Sequence, residues 1–158
     1  MPSSRARLRA TLLSRLLAVG VAAALGAGCS LFGPAVGGGD SPLVSIDAHG
    51  GHCLEGACGA VTTIFRNGRL TVQGSGDPVT DAVDPSLLAT LGAAVDSADY
   101  ARIMAVPFTG ECPTAFDGQE LTYTFHPAGR APVTFSSCEV AIDPAEPLFR
   151  ALVLVLPG

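Results

Sequence analysis

A chain of 158 residues carries nine basic and fourteen acidic side chains, a formal charge of −5 at neutral pH. Every basic residue is an arginine and four of them lie within the first fifteen positions, so the rest of the chain is more acidic than the whole. Such a surface repels nucleic acid and anionic lipid headgroups alike, which excludes charge-driven binding to either.

Arg5, Arg7, Arg9 and Arg15 precede an apolar run from Leu16 to Leu25, and the small residues Gly26, Ala27 and Gly28 then lead into Cys29. That order reads as a secretory signal. A membrane span needs ~20 apolar residues, and this run is shorter. The string LGAGC resembles the lipobox of bacterial lipoproteins, where a peptidase cuts before the cysteine once its sulfur carries a diacylglyceryl group. The resemblance implies a signal peptide over residues 1–28, lipidation of Cys29, and residence on the cell membrane or outer membrane, facing the periplasm or exterior. Ser30 rather than Asp follows the cysteine, so outer-membrane sorting is expected in a cell that has an outer membrane.

Removing residues 1–28 leaves 130, enough for one domain with its own core, and leaves five arginines against fourteen acids, a formal charge of −9. Attachment to a membrane then rests on acyl chains, and stable anchoring takes more than one. Residues 29–42 are rich in Gly and Pro and read as a lipidated tether; thirteen such residues after the cysteine span about 20 Å. A single domain is expected over 43–158.

Four cysteines remain beside Cys29: Cys53, Cys58, Cys112 and Cys138. An even number fits two disulfides in an oxidising compartment. Three pairings are open, and local spacing favours Cys53 with Cys58 and Cys112 with Cys138.

In chain order, Leu43, Val44 and Ile46 suggest a first strand, followed by a Gly-rich loop HGGHCLEGAC. Asn67–Gly68 in AVTTIFRNGRLTVQG predicts a two-residue type I′ hairpin, with Phe65 facing Leu70 and Thr63 facing Val72. GSGDPVTDAV reads as a loop. Asp84 and Pro85 start a helix carrying Leu88, Leu91 and Val95 at helical spacing and ending near Ala98. A long connection covers 99–119. LTYTF and APVTFSS alternate as a second hairpin around HPAGR. Asp143, Pro144 and Glu146 announce a last helix, which Pro147 delays by a turn.

The expected fold is α+β, a small antiparallel sheet of two hairpins with two helices on one face and two disulfides. The element order and the alternating hairpin resemble emfourin-type small bacterial inhibitors of metalloproteases, and no functional residue is carried over from them.

For chemistry, His49 and His52 beside Cys53 and Cys58 are candidate metal ligands, since imidazole and thiolate at short spacing can share a tetrahedral ion. A loop disulfide flanked by two exposed histidines accounts for the same residues and is the preferred reading, with no metal and no cofactor. No GxSxG elbow is present and all four cysteines are consumed by pairing, so catalysis is not expected. Segment 108–117, bounded by Pro and Gly and fastened at Cys112, is the loop best placed to meet an envelope protein partner, although a purely structural crossover accounts for the same residues and is the preferred reading. The resulting expectation is a lipid-anchored, non-catalytic binding or protein-interaction domain. The alternative is a metal-binding or hydrolytic envelope protein using His49 and His52.

Overall fold

A computed structural model describes residues 39–53 and 56–156, with the backbone alone for 53, 56 and 57. The expected signal, the expected lipidation at Cys29 and most of the expected tether lie outside the described residues. The elements are β1 (Pro42–Cys53), β2 (Gly56–Phe65), β3 (Arg69–Gln73), β4 (Val79–Ala82), α1 (Pro85–Ser97), α2 (Tyr100–Met104), β5 (Gln119–Phe125), β6 (Val133–Ser136) and α3 (Pro147–Val153), with a 3-10 turn at Pro113–Phe116. The strands form one sheet in the order β4-β3-β2-β1-β5-β6, and every neighbouring pair is antiparallel.

The α+β class is as expected, but the sheet is larger than two hairpins and three α-helices accompany it. The expected loop after Ile46 is mostly strand, because β1 continues to Cys53 and β2 begins at Gly56. Glycines usually weaken strands. Here Gly50 and Gly51 sit at positive φ inside β1, where the register with β2 shifts between His49 and His52. They form an irregularity that bends the ribbon without ending it. A side chain at Gly50 would collide with Thr114 of the 3-10 turn, so the bend is where β1 and that turn come together. The expected loop before Asp84 also contains β4, an edge strand pairing with β3. The expected connection over 99–119 holds α2 and the 3-10 turn.

The first hairpin differs from the sequence expectation by one residue. Its pairs are Ile64 with Leu70, Thr63 with Thr71 and Thr62 with Val72. Gly68 has φ +87° and its N–H donates to the Phe65 carbonyl at 3.0 Å, while Asn67 is not at positive φ. This is the geometry of a three-residue loop ending in a left-handed glycine, which the same Asn-Gly signal also serves. A one-residue shift exchanges the faces of a strand. Ile64 is therefore fully buried, whereas Phe65 turns outward beneath the Arg69 guanidinium, 3.6 Å from its ring centre.

With that register, apolar residues line up across one face of the sheet. Leu70, Ile64, Val44, Phe125 and Val133 form one row, and Val72, Thr62, Ile46, Tyr123 and Phe135 form the next. A bulge at Leu43 turns it inward as well as its neighbour Val44, and both are buried. The opposite face is a ladder of hydroxyls, Thr71, Thr63, Ser45, Thr124 and Thr134, with Thr124 and Thr134 3.0 Å apart.

Helix α1 starts where Asp84 accepts from the amides of Ser86 and Leu87; the bond from the Ser86 hydroxyl foremost, and then those two amides, hold its carboxyl below the ordinary value. It buries Leu91 and Val95. Helix α3 does not begin at the expected Asp143–Pro144 start but one turn later at Pro147, and it buries Leu148, Phe149, Ala151 and Leu152. Glu146 is its N-cap residue but makes no side-chain cap; its carboxylate instead holds Arg102 of α2 at 2.6 Å. Between helices and sheet lies an aromatic cluster of Tyr100, Tyr123, Phe125, Phe135 and Phe149, with ring centres 5.6–6.3 Å apart. Burial of each such ring contributes about 1.5–3 kcal/mol, so this cluster is the main source of cohesion. The Tyr100 hydroxyl is satisfied by the Val95 carbonyl at 2.9 Å, and burial raises its pKa to about 12.

Asp96 near the end of α1 ties the helix to both hairpins. It takes Arg66 from the first at 3.1 Å and the Ala128 amide from the second at 2.8 Å. Burial opposes its charge, but these hydrogen bonds and the nearby charges of Arg66 and Arg130 outweigh it and keep the carboxyl below the usual value. Among the described residues no helix is long and apolar enough to cross a membrane.

Candidate functional site: an apolar cleft and a polar corner

Helix lengths explain why one end of the apolar face is left open. Twelve residues of β1 extend roughly 40 Å, whereas the seven of α3 cover only about 10 Å. Where the helices stop, the next row of the face presents Ala60, Ala48 and Leu121. Two methyl groups in adjacent central strands leave a hollow that larger side chains would fill. The result is a cleft of about 370 Å³ between the sheet and the C-terminal helix. Its floor is Ala48, Ala60, Thr62, Val72 and Leu121. Phe149, Leu152, Val153 and Leu156 form the wall, and no charged side chain lines it. Such a volume lies within the about 300–1,000 Å³ usual for small-molecule sites.

A second cluster occupies the hydroxyl face at the same end of the sheet. His49 on β1 stands directly across from Glu120 on β5, its Nε2 3.3 Å from one carboxylate oxygen. The other oxygen of Glu120 accepts from the Ser136 hydroxyl of β6, which in turn accepts from the Cys138 amide. Beside them Cys112 and Cys138 form a disulfide with Cα atoms 5.3 Å apart. That pairing agrees with the sequence expectation, and the backbone shows its cause. The segment after α2 runs beside the segment after β6, with the Phe108 amide bonded to the Glu139 carbonyl and the Ala141 amide to Val106, both at 2.9 Å. This brings Cys112 against Cys138.

Among the described residues, Cys112–Cys138 is the one complete disulfide. Cys58 is also disulfide-bonded, and its expected pairing with Cys53 lies outside the described residues because no side chain is described at 53. The structure gives His49 and His52 different partners. His49 meets Glu120, whereas His52 is almost fully exposed and bonds Asp117 at 3.0 Å. Among the described residues, the one set of three potential ligands within 4.8 Å of one another is Cys112, Glu120 and Cys138. Segment 108–117 presents Phe116, 70% exposed, on its 3-10 turn.

Sequence reasoning missed both Glu120 and the cleft. The alternation Val44, Ile46, Ala48 and Ala60, Thr62, Ile64 was a signal for the cleft, since each set lies on one strand face. Nothing local marks Glu120, whose role depends on which strands become neighbours. The chain matches no protein-family model and no curated protein.

Proposed function

We propose that this chain is a lipid-anchored lipoprotein of the bacterial cell envelope whose domain binds a hydrocarbon group without catalysing a reaction on it. The anchor reading rests on the charge, length and spacing of residues 1–29. The binding reading rests on one observation, the open cleft floored by Ala48 and Ala60. A site with no charged lining has nothing to pair with a headgroup or a peptide terminus, and a charged ligand would lose its hydration there without compensation. An uncharged acyl chain loses none and removes apolar surface from water on both sides, at roughly 25 cal/mol per Å². Beyond the cleft, the non-catalytic reading is supported by Ser136, which is buried and engaged by Glu120 and the Cys138 amide rather than by an imidazole.

Two variants of the full chain test the two halves separately. Cys29→Ala is expected to leave the membrane fraction after a high-salt wash and to bind an environment-sensitive naphthylamine dye as the parent does. Ala48→Phe fills the floor of the cleft; it is expected to stay with membranes, to lose dye binding at least tenfold, and to keep its circular dichroism spectrum. In the parent, single-chain dodecyl to hexadecyl amphiphiles displace the dye. Retention of Cys29→Ala on membranes refutes the anchor, and unchanged dye binding by Ala48→Phe refutes the cleft.

A further inference from the structure

The polar corner holds four potential metal donors of three kinds. Sulfurs of Cys112 and Cys138 and a carboxylate oxygen of Glu120 lie within 4.8 Å of one another, and His49 Nε2 is 3.3 Å from Glu120. While the sulfurs are bonded to each other they offer no charge to a cation. We propose that reduction of this disulfide converts the corner into a zinc site in which Cys112, Cys138, Glu120 and His49 are the four ligands. The domain end is then fastened either by a sulfur–sulfur bond or by a metal.

Geometry supports the exchange. Tetrahedral zinc with Zn–S bonds of ~2.3 Å places two thiolates roughly 3.8 Å apart. The backbones of Cys112 and Cys138 are fixed by the paired segments that carry them, so rotation of the two side chains away from each other opens that gap without moving a strand. Glu120 is already oriented by the Ser136 hydroxyl on one oxygen, as ligating carboxylates usually are. His49 is half exposed, its side chain free on the solvent side to turn its Nε2 from the carboxylate to a shared ion. All three core donors are half-buried, which limits competition from water without stripping the ion of access.

The step balances as thiol–disulfide exchange. A dithiol donor gives two electrons and two protons to the Cys112–Cys138 bond and becomes a disulfide itself. Zinc then displaces the proton from each new thiol, so two protons are released per ion bound. This site differs from a pairing of His49 with His52, whose imidazole is held by Asp117. It is also independent of ligand binding in the cleft, which lies on the other face of the sheet.

The test uses the full chain, reduced with a dithiol, freed of it by gel filtration under anaerobic conditions, and titrated with Zn2+ or Co2+. One equivalent is expected to bind tightly at this corner, with thiolate-to-cobalt charge transfer and the strong visible bands of tetrahedral cobalt. The oxidised chain should give neither. Mapping of alkylated peptides distinguishes this corner from the other cysteines: zinc should protect Cys112 and Cys138 together. Glu120→Gln and His49→Ala, each removing a direct ligand, should weaken zinc by at least the about 10- to 100-fold that loss of an outer-shell partner costs, while leaving the oxidised chain folded. Protection confined to other cysteines, octahedral cobalt bands alone, or affinities unchanged in both variants would overturn the proposal. An unfolded reduced chain binding through its thiols would show that last pattern.

Discussion

The two faces of the same six strands carry opposite burdens. On one face Phe125 is fully buried and stands among four other aromatic rings; one residue earlier in the chain, Thr124 lies on the hydroxyl ladder and meets Thr134 at 3.0 Å. Strand geometry alone separates them, because successive side chains point to opposite sides. The helices need an apolar face to pack on, so stability concentrates there. Released from packing, the other face can assemble groups such as His49, Glu120 and Ser136 that would be costly to bury beneath a helix. The cleft is the exception on the packed face, and it occurs where the helices end and the floor shrinks to alanine.

That contrast is broken most directly at Phe125. Phe125→Ala should lower stability by about 3–5 kcal/mol, and Thr124→Ala by less than about 1 kcal/mol, measured as denaturant midpoints. Comparable losses from the two substitutions would show that the faces do not differ as described.

Next in size is the staple beside the polar corner. Cys112 and Cys138 are 26 residues apart in sequence, and the double substitution Cys112→Ser/Cys138→Ser should reduce stability by about 3–4 kcal/mol on the chain-entropy model. A loss near zero would mean that the paired segments around Phe108 and Ala141 hold this end of the sheet without the covalent bond.

The smallest effect sharpens the comparison at the edge of the packed face. Asp96 has a lowered folded pKa, so the unfolded chain takes up its proton first as pH falls. Its contribution is full above the ordinary carboxyl value of about 4 and disappears as pH drops through the lowered folded value. Because the side chain is partly exposed and screened, Asp96→Asn should lower stability by only about 1 kcal/mol at neutral pH. The gap between variant and parent should close in acid. A gap that persists at low pH would assign the loss to packing rather than charge.

Much of this architecture was legible residue by residue. Asp84 with Pro85 marked the start of α1 and Ala98 its end, because cap chemistry and the missing proline N–H are local requirements. For α3 the cap signal at Asp143 and Pro144 came one turn early, and only the proline preference for a first helical position at Pro147 matched the start. Alternation placed β5 and β6, and proximity in the chain paired Cys112 with Cys138. The first hairpin was legible only as a hairpin. Asn67 and Gly68 fit both a two-residue and a three-residue loop, and the choice lay with burial of Ile64 against Leu70 across the sheet. β4 escaped notice because all four of its residues are exposed and show no apolar period; it exists through its pairing with β3. The run of glycines around His49 and His52 concealed the length of β1, since the strand pairs with β5 as far as Gly50 and resumes pairing with β2 at His52.

By itself the sequence determined what depends on near neighbours in the chain: the run of arginines, apolar and small residues that ends at Cys29, the acidity of the chain beyond it, the N-cap of α1, and the alternation that makes one face of β5 and β6 apolar. Tertiary structure decided what depends on which distant segments meet. It placed β1 between β2 and β5, and so put Ala48 beside Ala60 to hollow the cleft and His49 beside Glu120 to build the polar corner. Local chemistry fixes how a segment folds, but side chains from separate segments become a site only when the order of strands makes them neighbours.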